Sequence, residues 1–134
     1  MTIRLLLVDD HAVVRLGLRM LLTGESDMEI VGEAGNAAEA LSAVGRLGPN
    51  VILMDIGLGA DSGIECTRQI KKVFPSVQVL MLTVHAEEDK IFESLRAGAV
   101  GYILKKTPPA ELLNAVRDAE SSGAPMSGEI ARKV

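Results

Sequence analysis

Five short apolar runs, separated by longer stretches with apolar residues at helical spacing, restrict the fold of this 134-residue chain more than any other feature. The runs are Ile3 to Val8, Glu29 to Glu33, Val51 to Met54, Val77 to Leu82 and Val100 to Leu104. Each is β-branched or leucine-rich and bounded by turn residues, which suits a buried strand. In the intervening stretches, Val14, Leu18, Leu21 and Leu22 share one helical face, as do Ala40, Val44 and Leu47, then Cys66, Ile70 and Val73, then Ile91 and Leu95, and last Leu112, Leu113 and Val116. Strands that are apolar throughout must be covered on both faces, so the pattern predicts a parallel sheet flanked by helices. Glu29 and Glu33 mark the second run as an edge strand. Gly48-Pro49, Pro75, Ala97-Gly98-Ala99 and Pro108-Pro109 fall at the expected boundaries.

A chain of this length admits one core and one domain. No apolar run approaches the roughly 20 residues needed to cross a bilayer. Met1-Thr2-Ile3-Arg4 leads into the first run without a signal-peptide pattern, so a cytoplasmic location without membrane association is expected. Cys66 is the only cysteine, which excludes an internal disulfide and a thiolate metal centre and leaves oxygen ligands. The formal net charge of −4 argues against direct DNA binding by this segment, because neutralising phosphates takes clustered lysine and arginine. Residues 1–121 form the expected domain. Residues 122–134, with Gly123-Ala124-Pro125-Met126-Ser127-Gly128 and a charged end too brief to bury much, read as a linker or the truncated start of a connection to an absent C-terminal domain.

In an open parallel sheet, ligands bind beyond the carboxyl ends of the strands, near the point where strand order reverses. The first run ends in Asp9-Asp10, the third in Asp55, the fourth in Thr83 and the fifth in Lys105, so acidic, hydroxyl and basic groups converge on one rim. Any one of these residues alone is more simply a cap or a solvated loop residue. Together they form a site. Clustered carboxylates repel unless a cation sits among them, and Mg2+, or Mn2+ in its place, suits one or two carboxylates plus a phosphate oxygen. A phosphoryl group on Asp55 would be stabilised by that ion, by the Lys105 ammonium and by the Thr83 hydroxyl. His11 and His85 are read as a helix-start and a loop residue, and Cys66, Met20, Met54 and Met81 as packing.

The pattern Leu7-Val8-Asp9-Asp10-His11, Met54-Asp55-Ile56, Leu82-Thr83 and Gly101-Tyr102-Ile103-Leu104-Lys105 resembles receiver domains of bacterial two-component response regulators over about residues 3 to 121. The segments after Asp10 and before Lys105 are most similar to the NarL/FixJ subgroup, whose output domain is a LuxR-type helix-turn-helix. The resemblance implies a flavodoxin-like (βα)5 α/β fold with strand order 2-1-3-4-5 and helices on both faces. It implies metal ligation by Asp10 and Asp55, by Asp9 through water, and by the backbone carbonyl of Gly57. Thr83 and Lys105 would contact the phosphoryl oxygens, and Tyr102 would turn inward as the hydroxyl of Thr83 moves. The implied function is a switch rather than an enzyme. A sensor histidine kinase would donate the phosphoryl group, phosphorylation would favour a homodimer, and DNA would be reached only through a C-terminal helix-turn-helix domain that regulates transcription.

The plain alternative for Tyr102 is a half-buried edge aromatic with its hydroxyl in water. Gly59 stands where proline is common in the family, Ser62 where Asp or Asn is frequent, and Lys106 where many members have proline, which leaves the Lys105-Lys106 bond open to either isomer. Three rival functions each carry a signature of their own. A haloacid-dehalogenase-like phosphatase would carry its nucleophile in an Asp-x-Asp pattern on the first strand. A flavin carrier would need a hydroxyl-rich phosphate loop there. An interaction domain that switches without phosphate would not need all five rim positions.

Overall fold

The computed structural model describes residues 2–121 and 123–134. Its sheet strands are β1 (Ile3–Val8), β2 (Met28–Ala34), β3 (Val51–Met54), β6 (Gln78–Thr83) and β7 (Gly101–Leu104), all paired in parallel in the order β2-β1-β3-β6-β7. A two-residue ladder of β4 (Gly57–Leu58) and β5 (Asp61–Ser62) stands apart from the sheet. Leaving that ladder aside, the order is the expected 2-1-3-4-5, and the second apolar run is an edge strand. The helices are α1 (Ala12–Leu22), α2 (Ala37–Leu47), α3 (Gly63–Val73), α4 (Glu88–Arg96), α5 (Pro109–Glu120) and α6 (Gly128–Lys133).

The inner strands are largely apolar because alternate residues serve two cores. Leu6, Val8, Ile52, Met54, Val79, Met81, Tyr102 and Leu104 face α2, α3 and α4. Leu5, Leu7, Val51, Leu53, Leu80, Leu82 and Ile103 face Leu22 of α1 and Leu112, Ala115, Val116 and Ala119 of α5. A side-chain period of two thus fills both faces of one sheet. Local signals set the helix boundaries: Asn36 accepts from Glu39 N–H at 2.9 Å, Ser62 accepts from Glu65 N–H at 3.3 Å, and Pro109 occupies the first turn of α5, where its missing donor costs nothing. Ser62 therefore does the capping work expected of Asp or Asn.

Three expectations are corrected. The tail read as too brief to bury much buries Ile130 completely, and α6 packs on the α4 side of the sheet; Ser122, the first residue of that segment, lies outside the described residues. Met20 is 72% exposed rather than packed, since it points away from both cores. Tyr102 is fully buried instead of half-exposed, because α6 and its approach cover the edge that would have left it wet. The Lys105-Lys106 bond is trans, as no cis peptide occurs among the described residues.

Candidate functional site

Three of the rim residues are held by a backbone bond that extends the sheet one step beyond a strand. Asp9 N–H donates to the Ala34 carbonyl at 3.0 Å, Asp55 N–H to the Val8 carbonyl at 3.0 Å, and Lys105 N–H to the Thr83 carbonyl at 2.9 Å. The side chains that follow are consequently fixed at the carboxyl ends of β1, β3 and β7. The chain leaves β1 for β2 on one side and returns to β3 on the other, so the site lies at the reversal of strand order.

Lys105 joins the acids. Its Nζ lies 2.7 Å from Asp9 Oδ2 and 2.9 Å from Asp55 Oδ2, and both carboxylates are buried. Burial acts to raise the Asp9 carboxyl, but the Lys105 ammonium and the His11 backbone N–H, 2.8 Å from Oδ1, outweigh it and hold the group below the ordinary aspartate value. Burial likewise works against the Lys105 charge and is outweighed by Asp9 and Asp55, which hold the ammonium above the ordinary lysine value. The other Asp55 oxygen accepts from the Ile56 N–H at 2.8 Å.

Asp10 is more open and completes an acidic group in which ligand atoms of Asp9, Asp10, His11 and Asp55 all lie within 4.8 Å of one another. Three carboxylates face one ammonium there, so negative charge is in excess. Such a donor set could hold Mg2+, a hard ion that favours oxygen. His11, read from sequence as a helix-start residue, directly precedes α1 and also sets its Nδ1 3.0 Å from Asp10 and 3.2 Å from Asp9.

Above these groups opens a cavity of about 490 Å3, walled by Asp10, Asp55, Gly57, Gly59, Val84 and Lys105 among others. Gly57 lines this cavity beside Asp55. Gly59 has φ +65°, a left-handed turn between β4 and β5 that proline could not adopt, which accounts for the departure at that position. Thr83 is fully buried at the end of β6; its hydroxyl accepts from the His85 N–H at 3.4 Å, and Val84 and His85 form the cavity wall on that side. Tyr102 donates from its hydroxyl to the His85 carbonyl at 2.8 Å.

Sequence reasoning missed three supporting residues. Arg15 donates to the Asp9 backbone carbonyl and, at 3.0 Å, to Glu33, which pins the turn carrying Asp9 and Asp10 to β2. Asp61 accepts from the Ala37 N–H at 3.1 Å and ties the loop after Asp55 to the start of α2. Gly63 packs so closely on the end of β3 that a Cβ would overlap the Asp55 carbonyl oxygen and lie 2.8 Å from its carbon. A glycine opening an otherwise ordinary amphipathic helix was the available signal for the last of these.

Comparison with known proteins agrees with this fold. The response regulator receiver domain model matches residues 5–117. Response regulator protein VraR of Staphylococcus aureus is 44% identical over 117 residues, which cover 87% of this chain and 56% of VraR. The chain therefore spans little more than half the length of the curated relatives it matches. Among solved structures, a LuxR-family two-component response regulator from Aurantimonas sp. SI85-9A1 superposes with a TM-score of 0.94 at 35% identity, covering 99% of this chain and 95% of that one. The response regulator domain of Thermotoga maritima CheB gives 0.83 at 35% identity, covering 90% and 98%.

Proposed function

As the chain belongs to the response regulator receiver domain family, we propose that its Asp55 accepts a phosphoryl group from a phosphohistidine of a sensor kinase. Family membership favours this over the phosphatase and flavin-carrier readings. The observation that carries it is the Lys105 ammonium within hydrogen-bond reach of both Asp9 and Asp55 at the mouth of an acid-lined cavity. One Asp55 oxygen attacks phosphorus as the phosphorus–nitrogen bond breaks, giving an acyl phosphate and a free imidazole. Little covalent work falls to the protein, so catalysis is positioning and charge stabilisation.

Asp10 and Asp55, with Asp9 through water and the Gly57 carbonyl, would hold Mg2+ or Mn2+. Such an ion supplies neutralisation of the charge that develops on the phosphoryl oxygens. Lys105 exchanges its bond to Asp55 for one to a phosphoryl oxygen and keeps Asp9 as its anchor. The Thr83 hydroxyl moves toward the phosphoryl group, drawing the following loop with it, and the Tyr102 ring, already inside, packs behind that loop. The chain is in this reading a switch rather than an enzyme. It acts in the cytoplasm, pairs with a second copy when phosphorylated, and controls a C-terminal LuxR-type DNA-binding domain reached through the segment from residue 122.

Incubation with Mg2+ and a small acyl phosphate, followed by intact-mass measurement, tests the proposal. A single phosphoryl adduct on the parent chain that is absent from Asp55→Asn is expected. An adduct that persists in Asp55→Asn, or none on the parent, refutes it.

A further inference from the structure

Residues 125–133 run along the outer edge of β7 and reach over the loop that follows Thr83. Tyr102 is bonded there through both backbone groups: its N–H donates to the Pro125 carbonyl at 3.0 Å, and its carbonyl accepts from the Ser127 N–H at 3.2 Å. Ser127 Oγ accepts from the Leu104 N–H at 2.9 Å, Glu129 pairs with Lys106 at 2.9 Å, and Ile130 is fully buried in the core beneath. Gly101 permits this approach. A Cβ at that position would overlap the Pro125 carbonyl oxygen and stand 2.9 Å from its Cγ, so a side chain there and a seated strap exclude one another.

The strap also reaches the loop that follows Thr83. Two successive carbonyls of that loop are taken from this side: His85 by the Tyr102 hydroxyl at 2.8 Å, and Ala86 by Lys133 Nζ at 2.6 Å. A small cavity of about 150 Å3 between Val84, Ala86, Lys105, Lys106 and Glu129 is all that separates strap and rim. The same side chain whose backbone seats the strap therefore grips the loop next to Thr83.

We propose that seating of the 125–133 strap and phosphorylation of Asp55 favour one another, an inference that rests on the reading of Asp55 as acceptor. The loop arrangement with Tyr102 fully inside gives the His85 carbonyl to the Tyr102 hydroxyl and the neighbouring Ala86 carbonyl to Lys133 of the strap. A phosphoryl group that selects this arrangement selects the seated strap with it. Linkage makes the effect reciprocal, so the seated strap also stabilises the phosphorylated acceptor.

Amide hydrogen exchange on the whole chain in Mg2+, before and after treatment with a small acyl phosphate, tests this at Leu104 and Ser127, whose N–H groups report docking. Intact mass on the same samples reports the adduct. Exchange at both amides is expected to slow about 5-fold or more in the phosphorylated chain. Gly101→Ala, which expels the strap, should exchange rapidly at both amides in either state and lose its adduct about 5-fold faster once donor is removed. Should faster exchange across β3 show that this variant has loosened the sheet, Ile130→Ser, confined to the strap, carries the same two expectations. An adduct that forms while both amides keep their rates, or an adduct lifetime indifferent to strap removal, overturns the coupling and leaves the acceptor reading standing. No adduct overturns both, and the mass measurement tells the two failures apart.

Discussion

The Tyr102 hydroxyl donates a 2.8 Å hydrogen bond to the backbone carbonyl of His85. Removing that oxygen in Tyr102→Phe keeps the ring packed and strips the carbonyl of a buried partner, at a cost of about 1 kcal/mol in denaturant unfolding. Burial first, and then the negative charges of Glu87, Asp55 and Asp89, push the phenol above its ordinary value of 10.0. With the folded group raised, its contribution is intact below pH 10.0 and declines as pH rises beyond it, because only the unfolded chain ionises readily. As the sequence has a single tyrosine, the phenolate band in an alkaline titration reads this directly: it should develop together with unfolding, and a band that develops in the folded chain would contradict the burial argument.

Excess negative charge at the rim makes the fold sensitive to divalent cations. Mg2+ at about 100 times its dissociation constant should stabilise the chain by about 2.7 kcal/mol, and chelation should reverse the gain. Asp10→Asn, which removes the most open carboxylate of the cluster, is expected to abolish most of that increment in a thermal melt while leaving the metal-free melt nearly unchanged.

Gly63→Ala places a methyl group against backbone atoms of Asp55 and Ile56, none of which can rotate away. Overpacking of this kind costs about 1–3 kcal/mol, and here the strain falls on the Asp55 peptide. The expected outcome is a lowered denaturant midpoint together with slower adduct formation; a variant of wild-type stability would show that the α3 start can retreat from β3.

Arg117 of α5 grips Asp27 through two hydrogen bonds of 2.8 and 3.1 Å and Glu25 through one of 2.7 Å, clasping the turn before β2. The guanidinium holds the Asp27 carboxyl below its ordinary 3.8, so its contribution is present above pH 3.8 and is lost as pH falls through the depressed folded value. An acid titration of Asp27→Asn should show a shallower loss of stability below pH 3.8 than the parent. Because the pair is exposed to solvent, the difference should shrink at high salt.

The sheet was legible because strands buried on both faces have no polar alternation to confuse them with amphipathic helices. Rim residues were legible for a related reason: a charged residue directly after an apolar run has few structural roles, and Asp9, Asp55 and Lys105 follow residues 5–8, Val51–Met54 and Gly101–Leu104. Supporting residues were not. Arg15 reads as a solvated helical arginine until β2 brings Glu33 alongside it. Gly63 shows its purpose only once β3 lies underneath, and Gly101 only once Pro125 is seen against it. The tail was misread because six charged and small residues around one isoleucine carry no periodicity, and the burial of Ile130 depends on a groove formed by other parts of the chain.

The two margins of the sheet are guarded by different means. β2 has an open side, where Glu29 and Glu33 supply the charge that discourages pairing with a foreign strand. β7 has no charged residue in Gly101–Leu104 and is shielded by the chain's own residues 125–127. A fragment ending at Ser121 would therefore bare an apolar strand with free donors and acceptors, and self-association through that margin, rising with protein concentration, would be its characteristic defect.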